Sequence, residues 1–164
     1  MKIKGFTLLE LLIILALIAC LSVLGTASYS YLLRKNEQQV LVDELRTAVQ
    51  YAKLQALILG KTVSLTPLDA SLNWVHGMKL STWNKKTNNS ELLYQWQWHH
   101  PGWELTWSGA RSSNRVIFSN NPTRAISNGH FTLLNADTRQ NRVIILNRLG
   151  RIKEDSGYSL SLTR

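Results

Sequence analysis

From Phe6 the chain is apolar for about twenty residues, broken by one charge at Glu10 and closed by Ser22, Gly25 and Thr26. At about 1.5 Å per residue such a run is long enough to cross bilayer hydrocarbon as a helix. Tyr29 and Tyr31 follow where interfacial aromatics sit, and Arg34 and Lys35 mark the polar boundary. The pattern then changes. Leu41, Leu45, Val49, Ala52, Ala56 and Leu59 recur three or four residues apart, with Asp43, Glu44, Arg46, Gln50 and Lys53 mostly between them. That is one apolar stripe of an amphipathic helix. No proline intervenes between Phe6 and Leu59, and Gly60 supplies a C-cap, so the spacing predicts one nearly continuous helix of about 54 residues, about 80 Å by the standard rise.

Beyond Gly60 the period falls to two. Thr62–Thr66 alternates and ends at Pro67, and Trp74–Leu80 reads as a second strand. Asn84–Ser90 is polar without a period, an exposed loop. Leu93–Trp98 and Trp103–Trp107 flank Pro101-Gly102, a hairpin signal; Tyr94, Trp96 and Trp98 would share one face, as would Trp103, Leu105 and Trp107. Arg115–Phe118, His130–Leu134 and Arg142–Leu146 add three short strands between Asn/Gly/Asp-rich turns. The fold class is α+β, a long N-terminal helix followed by an antiparallel sheet domain.

Of 164 residues, roughly 25 belong to the apolar run, and the remainder fits one domain. The lone cysteine, Cys20, excludes an intrachain disulfide and is expected to be a small buried apolar residue. The net charge of +9 is placed unevenly. Residues 6–110 carry +1, whereas residues 111–153 hold eight basic residues against Asp137 alone. Such asymmetry suggests a polyanionic partner.

Catalytic patterns are missing. His76, His99, His100 and His130 lack zinc-ligand spacing, adjacent strand histidines point to opposite faces, and no nucleophile elbow, phosphate loop or Cys/His arrangement occurs. Neither an enzyme nor a cofactor or metal is expected. The six tryptophans alternate as core residues do, with Trp83 or Trp107 the candidates for exposure and for stacking on sugars or bases. Arg148, Arg151 and Lys153 bracket the Leu149-Gly150 turn, with Arg142, Arg139 and Arg115 as a second group; Glu154 and Asp155 are the main acids nearby. By charge alone two readings stay open, a solvated basic surface and a phosphate-contacting one. Sequence-independent DNA binding needs little beyond such cations.

Gly5-Phe6-Thr7-Leu8-Leu9-Glu10, behind Lys2 and Lys4, resembles the leader of type IV prepilins and type II secretion pseudopilins. The resemblance implies a leader of residues 1–5, cleavage by the prepilin peptidase between Gly5 and Phe6, and N-methylation of Phe6. It also implies that Glu10 compensates the new amine of a neighbouring subunit during assembly; a carboxylate in an apolar helix otherwise costs a few kcal/mol unless it reaches the headgroups.

Residues 41–80, with Leu45-Arg46-x-Ala48, Tyr51-Ala52-Lys53, Ala56, Gly60, Thr62-Val63-Ser64-Leu65 and Trp74-x-x-Gly77, are similar to the GspH/FimT family of minor pilins and pseudopilins. Ile117-Phe118 and Val143–Lys153 fit its last strands. This implies a type IV pilin-like fold, with a membrane and filament-core segment over 6–33 and a globular domain over 34–164. It implies a single-pass subunit of the bacterial inner membrane with its domain in the periplasm, later part of a pilus or pseudopilus at the cell surface. Other pilins would be its partners. Some FimT-like members take up double-stranded DNA in natural transformation through a terminal Gly-Arg-x-Arg, here Gly150-Arg151-Ile152-Lys153, where lysine keeps the charge but loses the guanidinium fork. The alternative is a GspH-like pseudopilin or tip-initiation subunit with a purely structural role. The proline many pilins carry about 21 residues into the mature helix is replaced here by Ala27 and its neighbours, favouring a straighter helix.

Overall fold

A computed structural model describes residues 7–84, 87–110, 112–121 and 127–155, without the side chains of 23–28, 30 and 155. Gly5, Phe6, Arg111 and Arg124 lie outside the described residues. The chain forms two compact units, Met1–Val40 and Leu41–Arg164, and helix α1 (Leu8–Leu59) runs from one into the other.

In the first unit Thr7 caps α1: its Oγ1 accepts a hydrogen bond from the Glu10 backbone N–H at 3.3 Å. Glu10 thus occupies the third helical position of a Thr-x-x-Glu start, where a carboxylate also favours the positive end of the helix dipole. The described side chains from Leu8 to Ser22 are all exposed. Cys20 is among them, contrary to the expectation of burial: among the described residues none packs over the helix there. Among the described residues no helix is long and apolar enough to cross a membrane.

In the second unit the stripe is buried as expected from Leu41 to Ala56, while Leu59, its last member, is exposed. Ala48, Ala52 and Ala56 are fully buried one turn apart, and their small side chains let the helix axis lie close to its neighbours. Gly60 ends α1 at φ 61°, the left-handed geometry of a C-cap.

Among the described residues eight strands follow: β1 (Val63–Pro67), β2 (Gly77–Asn84), β3 (Asn89–Gln97), β4 (Trp103–Gly109), β5 (Val116–Phe118), β6 (Gly129–Asn135), β7 (Asn141–Leu146) and β8 (Ile152–Asp155). They form two four-stranded antiparallel sheets of order β3-β2-β1-β5 and β4-β6-β7-β8. Core side chains from α1 and from strands of both sheets make one buried cluster.

Three readings of the pattern are corrected. Trp74–His76 is a 3-10 turn rather than strand, because Asn73 caps it: Asn73 Oδ1 accepts from Val75 N–H and from Leu105 N–H of β4. Of the polar stretch Asn84–Ser90, Asn84, Asn89 and Ser90 are strand ends, since β2 and β3 pair out to Asn84 and Asn89, and Thr87 and Asn88 form an exposed turn. Pro101-Gly102 joins two sheets instead of closing a hairpin: β3 pairs with β2, and β4 with β6. In that register Trp107 stands opposite Phe131 and Leu105 opposite Leu133, so the inward face of β4 is completed by β6 rather than by β3.

Phe131 is fully buried, with its ring 5.3 Å from Trp74 and 4.6 Å from Trp107. Phe131→Ala is expected to cost about 3–5 kcal/mol, read as a lower urea midpoint at unchanged slope.

Candidate nucleic-acid interface

The turn between β7 and β8 is built by Asn147 and Gly150. The Asn147 side-chain oxygen accepts from the backbone N–H groups of Leu149 and Arg151 at 3.0 and 2.9 Å. Its backbone oxygen accepts from Gly150 N–H, which the positive φ of 71° at Gly150 permits. Arg148 and Leu149 are thereby held at the crest, and Lys53 of α1 braces it by donating to the Leu149 carbonyl at 2.9 Å.

Arg148, Arg151 and Lys153 are exposed, and no carboxylate pairs with them among the described residues. Arg142 is different. It alternates with Ile144 and Leu146 on the inward face of β7, and its guanidinium lies 3.7 Å from Glu154. Glu154 also accepts from Arg46 of α1 at 3.2 Å, so one carboxylate ties β8 to both. Arg139 sits with φ 54° in the β6–β7 turn, at the other end of β7 and about 17 Å away by strand rise. Arg115 precedes β5 in the other sheet. Of the six cations expected at the site, the fold brings three together at one tip and leaves Arg142, Arg139 and Arg115 elsewhere.

Three contributors lie outside the expected cation set and its Leu149-Gly150 turn. Asn147 completes an Asn-x-x-Gly turn signature with Gly150, and Arg46 and Lys53 lie two helical turns apart beside the apolar stripe, a spacing that puts both on one flank. Glu154→Gln would release Arg46 and Arg142 at a half-exposed site. The expected result is about 0–1 kcal/mol lost in stability, read by urea unfolding.

Two of the four histidines pair with acids. His100 Nε2 lies 2.7 Å from Glu44 of α1, and His76 Nδ1 lies 2.7 Å from Asp69. The Ser71 hydroxyl, and next His76, hold the Asp69 carboxyl below its ordinary range. Among the described residues no group of three or more His, Cys, Asp or Glu could hold a metal. Trp83 is exposed, whereas Trp107 is buried with its indole N–H donated to the Ser112 carbonyl.

A helix with an apolar N-terminal run, packed further along on antiparallel sheets, defines a type IV pilin-like subunit. The sequence matches the family described as type II transport protein GspH over residues 41–150 and the prokaryotic N-terminal methylation motif over residues 1–26; the chain belongs to the GspH family. It is thus a minor pilin or pseudopilin of a type IV pilus or type II secretion system. Membership implies a membrane-anchored subunit that associates with other pilins in a filament. No curated protein sequence matches it significantly.

Solved minor pilin and pseudopilin structures share the fold. The type IV minor pilin FimU of Pseudomonas aeruginosa PAO1 aligns with a TM-score of 0.58 at 18% identity, over 74% of this chain and 90% of that one. The minor pseudopilin EpsH from the type 2 secretion system of Vibrio cholerae aligns with a TM-score of 0.54 at 6% identity, over 73% and 96%.

Proposed function

We propose that this subunit is a FimT-type minor pilin of a type IV pilus that binds extracellular double-stranded DNA for uptake in natural transformation, without reading its sequence. The observation behind this reading is the β7–β8 tip, where Arg148, Arg151 and Lys153 stand exposed without carboxylate partners among the described residues. Phosphate contacts of this kind give affinity by releasing counterions. Double-stranded DNA titrated against residues 34–164 at two salt concentrations tests it. A salt-sensitive shift is expected, and no shift at low salt would leave the purely structural role.

Maturation follows the leader. The prepilin peptidase cuts between Gly5 and Phe6, Phe6 is N-methylated, and the subunit waits in the inner membrane, its domain in the periplasm, before entering the filament. Glu10 has two roles to separate, charge compensation of a neighbour's amine and the helix start it shares with Thr7. Gly5→Ala is expected to abolish cleavage on an immunoblot. Glu10→Ala should be cut normally yet fail to enter filaments, while Glu10→Gln, which keeps helix propensity and loses only the charge, should fail equally; filament entry of Glu10→Gln would favour the helix-start role.

A further inference from the structure

The C-terminal part of α1 and the start of β8, both in the second unit, enclose an open groove of about 520 Å³. Its apolar lining includes Leu54, Leu57 and Ile152, its rim includes Arg46, Lys53 and Arg151, and among the described residues no carboxylate lines it. Leu54 and Leu57 are 52% and 54% exposed, although they extend the helix beside its buried stripe. Arg46 is occupied by Asp43 and Glu154. Lys53 donates to a neutral carbonyl, and the Arg151 guanidinium has no partner among the described residues, so these two charges of the rim are uncompensated.

This combination selects its occupant. DNA phosphates would satisfy the rim but bring nothing to cover the leucines. The basic tip of a second copy would be repelled. A helix carrying leucines on one face and carboxylates on its flanks satisfies both parts, in the groove-binding mode apolar helices commonly use. A volume within the roughly 300–1,000 Å³ of ordinary binding clefts receives the few side chains such a helix inserts.

We infer that the groove docks an acidic amphipathic helix of a neighbouring, non-identical filament subunit. Docking rests on the chain being a filament subunit and not on its binding DNA. It would cover Arg151 while leaving Arg148 and Lys153 open.

The test uses the full chain in nanodiscs of zwitterionic lipid. The probe is a fluorescent fifteen-residue designed helix with leucines three and four apart and glutamates between them; its twin carries lysine for every glutamate. Anisotropy should show binding of the acidic peptide and none of the twin. Leu54→Ser with Leu57→Ser should weaken binding at least tenfold, as should Lys53→Glu with Arg151→Glu. The leucine pair is exposed, so its substitution should leave the fold intact by circular dichroism and the DNA shift unchanged. Equal binding of the twin, no binding of either, or indifference to the leucine pair overturns the docking. So does a leucine pair that weakens binding to phosphatidylglycerol vesicles but not to the peptide, which would make the groove a lipid site. Loss of the DNA shift with peptide binding kept would count against the DNA reading alone.

Discussion

Alanine at Arg148, Arg151 and Lys153 together should flatten the salt dependence of DNA binding by roughly 2 to 3 and leave little affinity at physiological salt. Each phosphate neutralised on a duplex contributes about 0.9 to the slope of log affinity against log salt, so three contacts account for most of what one tip can supply. The starting affinity should be roughly micromolar or weaker, in the range of sequence-independent binding. Geometry sets the order among variants. Arg148 and Arg151 flank the crest that Asn147 braces, so their double replacement carries most of the effect. Arg139→Ala, about a strand length away, should change the slope far less. Lys153→Arg restores a guanidinium fork at the fourth position of the Gly-Arg-x-Arg pattern and should tighten binding modestly. Two outcomes would sink the assignment: a shift insensitive to Arg148→Ala with Arg151→Ala, or one that Arg139→Ala weakens equally.

How far these features could be read beforehand depended on whether the signal was local. The helix stripe was legible because a period of 3.6 needs only the helix itself and one apolar neighbour; Leu59 escaped because the stripe outruns the core at the last turn. The tip was legible for a similar reason, since a glycine and its flanking cations are contiguous. Partner choice between strands was not. Pro101-Gly102 has the composition of a hairpin turn, yet β3 is held by β2 and β4 by β6, and nothing within the turn records that the next strand enters another sheet. Trp74–His76 was misread because the cap from Asn73 outweighs the β preference of Trp-Val. The settings of the second group of cations were not legible: Arg142 is tied to Glu154, twelve residues on, and Arg139 and Arg142 are near in sequence yet differ in setting, one in a turn and one on a strand.

A loss of stability as large as that of Phe131→Ala is expected at Gly77, where the 3-10 turn passes into β2. Gly77 has φ 122°, a region that side chains with a Cβ rarely adopt, and it pairs with Gln97 in the β2–β3 ladder. A Cβ added there would lie 2.2 Å from the Trp96 carbonyl oxygen, a backbone atom that no rotamer change can move aside. Strain of about 1–3 kcal/mol for the dihedral therefore adds to the displacement of a strand. Gly77→Ala should cost about 3–5 kcal/mol, at the exceptional end for one substitution and a large part of a typical domain's stability. The damage should start at β3, an edge strand whose Tyr94 and Trp96 rings are 5.2 and 5.5 Å from Tyr51 of α1. Wetting of Trp96 would red-shift the fluorescence before global unfolding. Gly60→Ala is the control, because Gly60 also has positive φ, 61°, but a Cβ there meets nothing within 4 Å. It should cost only about 1–2 kcal/mol. Equal urea midpoints for the two variants would mean that the Trp96 carbonyl yields, and that the ladder at Gly77 is looser than its geometry implies.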